Sequence, residues 1–283
     1  MKSRKIMSQD IEETVKDLCL RANTVIRPDV RMALETAYEK EEDLSISKKM
    51  IGILLENARI AEEKALPLCQ DTGMVTVFVK LGSEIVVSGG TLPDAINKGV
   101  EKAYSESPFR KSVVESPITR KNTGTNTPAI IHIEIVKGAE LAISVMPKGF
   151  GSENKSRSAM LNPTGTLENV SDFCVETVKI AGSDACPPYI LGVGIGGTME
   201  ECALLAKKAL LRPIDRKSQN SSIAEAEHEI EKRVNDLKIG VMGLGGKVTV
   251  IGVNIEEAPT HIAGFPIAVN LSCHALRSAS AML

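Results

Sequence analysis

The chain contains very few aromatic side chains. Phe, Trp and Tyr make up 3% of its 283 residues, and tryptophan is absent. Proteins that bind single-stranded nucleic acid stack bases on several aromatic rings, and this composition makes such a surface hard to assemble. The formal net charge of -2 supplies no basic excess for a phosphate backbone or an anionic membrane. We therefore expect no nucleic acid among the partners of this protein.

Long apolar segments are also missing. No stretch approaches the roughly 18 uninterrupted apolar residues that indicate a transmembrane helix. The N-terminal sequence MKSRKIMSQDIEETVKDLC is charged and interrupted, whereas a secretory signal needs an apolar core. The sequence thus predicts a cytoplasmic protein with no membrane partner.

Cysteine is sparse, and no two cysteines form a C-x-x-C pair. So few cysteines in a chain of this length do not make a disulfide scaffold, and a reducing compartment keeps them as thiols. The missing C-x-x-C pair disfavours a structural zinc site. The thiols are therefore free for packing, catalysis or metal binding, and they are Cys19, Cys69, Cys174, Cys186, Cys202 and Cys273.

The spacing of apolar residues predicts helices and strands in mixed order. The N-terminal part, to about residue 65, has mainly helical spacing, and later segments alternate helices with strands rich in β-branched residues. We expect AIIHIEIVKG and AELAISVMPKG to pair as a hairpin through Lys137 and Gly138. Without a repeat or a charged linker, the sequence predicts one α+β domain over residues 1–283, with helices packed on mainly antiparallel sheets.

Three cysteines lie where regular structure begins or stops. Cys69 precedes a strand, Cys186 is followed directly by two prolines, and Cys273 ends the apolar segment FPIAVNLS. Such positions carry a large share of functional side chains. The other three cysteines lie within helical periodicity and are expected to be small buried apolar residues; they are Cys19, Cys174 and Cys202.

The wide spacing of the first three cysteines matches no local metal-ligand signature, so inert loop thiols remain an alternative. Widely spaced thiolates can nevertheless converge on one iron–sulfur cluster. Such clusters usually take four cysteines, and a site with three leaves one metal position open. An open position suits Lewis-acid chemistry on a bound hydroxyl or carboxylate group.

Four motifs, spread from the first third of the chain to its end, carry a family resemblance. They are CQDTG at 69–73, KGFGSENKS at 148–156, ACPPYILGVGIGGT at 185–198 and HIAGFPIAVNLSCHA at 261–275. With these motifs the sequence resembles the α-subunit of the iron–sulfur-dependent class I fumarate hydratases, a family shared with L-tartrate dehydratase. The resemblance implies the α-type fold of iron–sulfur hydro-lyases.

The resemblance also implies a role for each matching residue. Cys69, Cys186 and Cys273 match the ligands of a [4Fe-4S] cluster whose fourth iron is free to hold substrate. Asp71 and His261 match residues with catalytic roles, the histidine supporting proton handling. The matching substrate-binding residues are Gln70, Asp71, Arg110, Gly149, Gly151 and Ser152.

The implied reaction is the reversible hydration of fumarate, a small dicarboxylate, to (S)-malate. The alternative within the family is dehydration of L-tartrate to oxaloacetate, although GFGSEN is more similar to the fumarase version of this loop. Fused members of the family continue into a second, C-terminal domain that supplies further substrate-binding residues. The resemblance therefore implies a separate β-subunit as partner, in an α2β2 assembly.

A glycine motif supports a more remote alternative, a nucleotide-dependent oxidoreductase. Gly192, Gly194 and Gly197 satisfy G-x-G-x-x-G between a strand and a helix. The next periodic segment is another helix, so we expect no completed βαβ unit. The second glycine motif, GLGGK at 243–247, precedes a strand and lacks the helix of a phosphate loop. A noncatalytic metal-binding or interaction module is the remaining alternative.

Overall fold

The structure, a computed structural model, describes residues 4–283. Its α-helices are α1 (Ser8–Thr24), α2 (Pro28–Lys40), α3 (Ile46–Lys64), α4 (Leu92–Glu106), α5 (Phe150–Glu153), α6 (Leu167–Ala181), α7 (Met199–Ala209) and α8 (Ser221–Asn235). Its strands are β1 (Arg4–Met7), β2 (Met74–Gly82), β3 (Ile85–Ser88), β4 (Ile130–Val136), β5 (Leu141–Lys148), β6 (Arg157–Met160), β7 (Tyr189–Gly197), β8 (Val250–Thr260), β9 (Pro266–Ser272) and β10 (Ala279–Met282). No helix in this part of the chain is long and apolar enough to cross a membrane.

The chain forms two compact units. Unit 1 combines the chain up to Arg27 with Ala58–Phe150 and Arg277–Leu283, and unit 2 combines Pro28–Asn57 with Gly151–Leu276. Both contain helices and a mixed four-stranded sheet, and the described strands form four antiparallel and three parallel pairs in total. The α+β class predicted from the sequence is therefore confirmed, whereas the extent of the domain, residues 1–283, stays a prediction.

Unit 1 is built on a four-stranded sheet with the order β10-β5-β2-β4. Alternate residues of β2, Val75, Val77 and Val79, are buried against apolar residues of α1 and α4. The two helices pack closely at Gly99, where a Cβ atom would lie 2.5 Å from the carbonyl oxygen of Glu12. The sheet thus has one face covered by these two helices, with β4 at its edge.

The predicted hairpin between β4 and β5 does not form. β2 lies between them, parallel to β4 and antiparallel to β5. The central position suits β2 because its residues from Val75 to Val79 are all buried, whereas four of the seven residues of β4 are exposed. Burial of the more apolar strand therefore decides the order, and the Lys137–Gly138 turn connects strands that are not neighbours.

Unit 2 contains a second four-stranded sheet with the order β6-β9-β7-β8. The side chains of Leu191, Val193 and Ile195 face a core completed by α6 and α8. The glycines between them, Gly192 and Gly194, face α7 on the opposite side of the sheet. Helices therefore cover both faces of β7, which explains why this strand is buried almost throughout.

The prediction that no βαβ unit is completed is wrong, because β7 and β8 are parallel neighbours joined through α7 and α8. The glycines nevertheless belong to the strand rather than to a phosphate-binding loop. A Cβ atom on Gly192 or Gly194 would lie 2.1 Å from a carbonyl oxygen of α7. These two glycines are required for close packing of α7 on β7. This structural role explains two of the three glycines of the G-x-G-x-x-G motif.

We expect Gly194→Ala to destabilise the protein by roughly 2–3 kcal/mol, because the added methyl group must displace the backbone of α7. The matched control is Gly52→Ala in α3 of the same unit, where the nearest atom is a side-chain carbon at 3.5 Å. Alanine should keep or raise stability there, since it is the better helix former. Chemical denaturation measures both free energies of unfolding, and equal effects would contradict this account of the motif.

Candidate active site

The first motif forms a tight turn at the start of β2 in unit 1. The backbone N–H of Asp71 donates to Cys69 Sγ at 3.4 Å, and the Cys69 thiol contacts Gln70 Oε1 at 3.2 Å. Gly73 has a φ of 75°, and a Cβ atom there would lie 2.7 Å from the backbone of Lys148. Only glycine fits this conformation and this approach. The turn leaves Gln70 exposed and Cys69 and Asp71 half-buried.

The Asp71 carboxylate is held by three groups. Oδ1 accepts the N–H of Gly73 at 3.0 Å, and Oδ2 accepts the N–H of Phe150 at 2.9 Å. The Arg110 guanidinium completes the set with an ion pair at 3.2 Å. Asp71 is therefore fixed in orientation, while its side chain remains 19% exposed.

Arg110 lies beside Asp71 and is held there by a second contact. Its backbone carbonyl accepts the hydroxyl of Thr72 at 2.6 Å, which ties the segment to the turn. Its guanidinium donates to Ser112 Oγ at 3.2 Å and remains 54% exposed. An accessible guanidinium can still donate two parallel hydrogen bonds to a carboxylate of a ligand.

A buried arginine beneath this turn was missed by the sequence analysis. Arg277 is 2% exposed and donates from Nη1 to Asn23 Oδ1 at 3.2 Å, while its Nε has no partner among the described residues. A Cβ atom on Gly149 would lie 3.4 Å from Arg277 Nη2 and 3.3 Å from Asp71 Oδ2. The small residue at 149 thus keeps open a space bordered by a carboxylate and a guanidinium.

Hydrogen bonds connect the buried arginine to the turn. Asn23 accepts from Arg277 and also contacts the hydroxyl of Tyr104, which donates to the carbonyl of Thr72 at 2.5 Å. Burial raises the pKa of Tyr104, so the phenol keeps the proton that it donates. The only sequence signal for Arg277 is its place four residues after Cys273.

We expect Arg277→Met to lower kcat/KM about tenfold, because a charged group beside Asp71 is lost, and to cost about 1–3 kcal/mol of stability, because the buried Asn23 loses a hydrogen-bond donor. The matched control is Arg59→Met in the same unit, where the arginine pairs with Glu63 on the exposed side of α3. Steady-state kinetics and thermal unfolding of both variants distinguish the two roles. A large loss of stability with unchanged kinetics would show that Arg277 is structural only.

Unit 2 brings two of the predicted cysteines together. Cys186 lies before β7 with a φ of 56°, and Cys273 follows the end of β9. His274, next to Cys273, approaches the carbonyl oxygen of Cys186 with its backbone nitrogen at 3.4 Å and its Nδ1 at 3.2 Å. Tyr189 is close to both thiols; burial is the main cause of its raised pKa, and the two cysteines act in the same direction.

Three further predicted residues belong to unit 2. Gly151 is exposed, and nothing lies within 4 Å of where its Cβ would be. Ser152 is buried in the short helix α5. His261 is exposed in the turn after β8, where its Nδ1 accepts the N–H of Ala263 at 3.1 Å. In the neutral imidazole this bond leaves the proton on Nε2, which is therefore a donor.

The six thiols fall into two groups by burial. Burial raises the pKa of Cys19, Cys174 and Cys202, which agrees with their expected role as apolar packing residues. The remaining three are partly or fully exposed and are Cys69, Cys186 and Cys273. Accessible thiols are the ones that can ionise and bind iron, so the donor set fits the predicted group.

These three thiols are divided between the units, with Cys69 in unit 1 and the other two in unit 2. Within residues 4–283, no group of three or more His, Cys, Asp or Glu side chains meets the geometry of a metal site. Neither unit by itself therefore supplies the three ligands that the sequence predicts.

The second glycine motif, GLGGK, is hydrogen-bonded to a carboxylate of the same unit. Oε1 of the buried Glu41 accepts the N–H groups of Lys247 and Val248 at 2.7 and 3.0 Å. Within GLGGK, Glu41 thus takes the N–H of Lys247, and the N–H groups of Gly243, Leu244 and Gly245 donate to backbone carbonyl oxygens. These backbone donors are therefore not available to a phosphate, which agrees with the expectation that GLGGK is not a phosphate loop.

Comparison with known proteins identifies the family of the chain. The family model described as fumarate hydratase (Fumerase) matches residues 12–282. The putative L(+)-tartrate dehydratase subunit alpha of Methanocaldococcus jannaschii is 42% identical over 275 residues, which cover 95% of this chain and 96% of the relative. L(+)-tartrate dehydratase subunit alpha of Escherichia coli K12 is 34% identical over 270 residues, 94% of this chain and 88% of the relative. The chain therefore belongs to the fumarate hydratase (Fumerase) family of hydro-lyases.

Proposed function

We propose that this chain is the α-subunit of a class I fumarate hydratase, which interconverts fumarate and (S)-malate. The observation that carries the proposal is the turn at 69–73. It places an accessible thiol two residues before a carboxylate that is oriented by Arg110. This arrangement provides a metal ligand and two substrate-directed groups within one local structure.

Cys69, Cys186 and Cys273 are the residues that would hold a [4Fe-4S] cluster in this proposal. The chemistry of the donors supports it, since these are the chain's three accessible thiols. When bound, a cluster with three protein ligands supplies an open Lewis-acid position that stabilises negative charge on oxygen. Because the thiols come from both units, folding of each unit is a precondition for the site.

Side chains and backbone groups would together bind the substrate. Arg110 would donate two hydrogen bonds to one carboxylate of the substrate, which matches its planar fork. Gln70, the residue before Asp71, is exposed and would supply amide hydrogen bonds. Gly149 and Gly151 permit close approach of the backbone, with Ser152 following them.

Asp71 would act on protons. In the hydration direction, it takes the proton that water releases as the water oxygen bonds to one alkene carbon. Arg110 and two backbone donors fix the carboxylate for this transfer. His261, with its Nε2 donor exposed, would support the exchange of this proton with solvent. The proton for the neighbouring carbon is expected from the partner subunit.

A separate β-subunit is the second part of the proposal. Both relatives described above carry the designation subunit alpha in their names, which supports a divided enzyme. We propose an α2β2 assembly in the cytoplasm, with the β-subunit supplying the remaining groups that bind the dicarboxylate. Weak or absent activity of the chain alone is the direct consequence.

L-tartrate dehydration to oxaloacetate is the second candidate function, and the names of the relatives favour it. The test is anaerobic purification of the chain with and without a candidate β-subunit, followed by assays with fumarate, (S)-malate and L-tartrate. We expect activity only with both subunits and a higher kcat/KM for fumarate. A preference for L-tartrate would select the second candidate, and full activity of the chain alone would contradict the divided enzyme.

A further inference from the structure

The edge of the sheet in unit 1 is unusually apolar. β4 occupies this edge and pairs only with β2 within the described residues. Its sequence, IIHIEIV, contains neither proline nor lysine, and Ile133 and Ile135 are 46% and 74% exposed. Proteins normally protect such edges with charged residues, prolines or bulges, because exposed backbone donors and acceptors invite another strand. A long apolar edge of this kind is therefore expected to have a partner.

We infer that β4 pairs with β4 of a second copy of this chain, antiparallel and about a two-fold axis through Ile133. The axis is perpendicular to the sheet, so two four-stranded sheets become one continuous sheet of eight strands. A two-fold contact of this type is self-complementary, since each strand offers the other the same surface.

Charge and side-chain type select this register. With the axis at Ile133, His132 of each copy lies opposite Glu134 of the other, so two pairs of opposite charge form when the imidazole is protonated. On the other face, Ile131 lies opposite Ile135, and Ile133 meets its own copy. Directly opposite residues in antiparallel strands are close enough for such pairs to stabilise the sheet.

Neighbouring registers are worse. A perpendicular two-fold axis keeps each residue on its own face, so the axis can shift only from one residue to the next along β4. With the axis at His132, each imidazole faces an imidazole; with the axis at Glu134, each carboxylate faces a carboxylate. Like charges directly opposite each other destabilise a sheet. The register about Ile133 is the one that joins opposite charges.

The structure already holds part of this surface in place. The ring of His132 stacks on Phe78 of β2, with centroids 5.2 Å apart and an angle of 25° between the planes. Ile131 is packed against the core of unit 1, whereas Ile133 and Ile135 extend beyond it. The second copy would cover these two side chains. Because the His132 ring is already oriented, association loses less side-chain conformational entropy.

Charge substitutions test the inference. We expect Glu134→Lys to weaken the α–α contact at least tenfold, because lysine then faces His132 of the other copy. The double variant His132→Glu with Glu134→Lys restores opposite charges in the same register and should recover most of the affinity. Light scattering measures association of the chain, alone and with its β-subunit. The measurement is made below pH 6.5 so that the imidazole is protonated, because the ordinary pKa of histidine is about 6.5.

A disulfide tests the register itself. Ile133→Cys places two thiols opposite each other on the axis, at a separation compatible with a disulfide. Ile135→Cys is the matched control, because it faces Ile131 of the other copy. We expect oxidation to link α-chains through position 133 and not through 135, as shown by non-reducing electrophoresis and mass spectrometry.

Two results would overturn the inference. One is the absence of an α–α link in the oxidised Ile133→Cys variant, both in the chain alone and in the complex with the β-subunit. The other is protection of β4 from hydrogen exchange by the β-subunit in a complex that contains a single α-chain, which would assign the edge to that subunit. Both readouts are independent of hydratase activity, because residues 130–136 lie outside the proposed active site.

Discussion

Cys186→Ser is expected to remove the iron–sulfur cluster and to lower hydratase activity by roughly 100-fold or more. Even residues that only support metal ligands cost 10- to 100-fold when replaced, and a lost ligand should cost at least as much. Serine is similar in size, but its hydroxyl does not ionise near neutral pH and is a poor ligand for iron. Cys186 is exposed, so the fold should tolerate the change.

The same loss is expected for Cys69→Ser and Cys273→Ser, measured as iron and sulfide per chain and as hydration of fumarate. Cys174→Ala is the control, because this thiol is fully buried in α6. Its removal should lower stability by about 1 kcal/mol and leave the iron content unchanged. Full iron content in Cys186→Ser, or equal loss of iron in Cys174→Ala, would contradict the ligand assignment.

Asp71→Asn is expected to lower kcat by about 10²- to 10⁴-fold, the usual range for a group that transfers protons. The amide has no proton-accepting charge. It also offers one acceptor oxygen where the carboxylate offers two, so one of its backbone hydrogen bonds, from Gly73 or Phe150, is lost. The variant should retain its iron, because Asp71 is not a proposed ligand.

Asp94→Asn is the matched control, because this carboxylate lies in the exposed first turn of α4. Its activity should stay close to that of the wild type. Steady-state rates with fumarate, together with iron content, separate a chemical role of Asp71 from a structural one. An Asp71→Asn variant within threefold of wild-type kcat would exclude the proton-transfer role.

The sequence predicts most of the helices and strands because their apolar spacing reflects local burial. α1, α3 and α6 lie where periodicity places them. Strand order was predicted less well. β2 lies between β4 and β5, and this pairing depends on contacts between segments that are distant in the sequence. For the same reason, the parallel pairing of β7 with β8 through two helices was not expected.

The local structure of the candidate site could be predicted where its residues are consecutive. Cys69, Gln70 and Asp71 stand in one turn, so a short motif reveals them. Arg277 was missed because its relation to Gly149 and Asp71 arises only when the C-terminal segment folds onto unit 1. Cysteines at the ends of elements were distinguished from those inside helices, and their burial follows the same division.

The most direct test of the central claim is iron and sulfide analysis of the anaerobically purified chain, alone and with its β-subunit, combined with EPR spectroscopy after mild oxidation. We predict about four irons and four sulfides per α-chain, and a three-iron signal after oxidation that fumarate or (S)-malate prevents from forming. Three protein ligands leave one iron exchangeable, so its selective loss is the expected signature. A chain that takes up no iron or sulfide after anaerobic reconstitution with its partner would contradict the account.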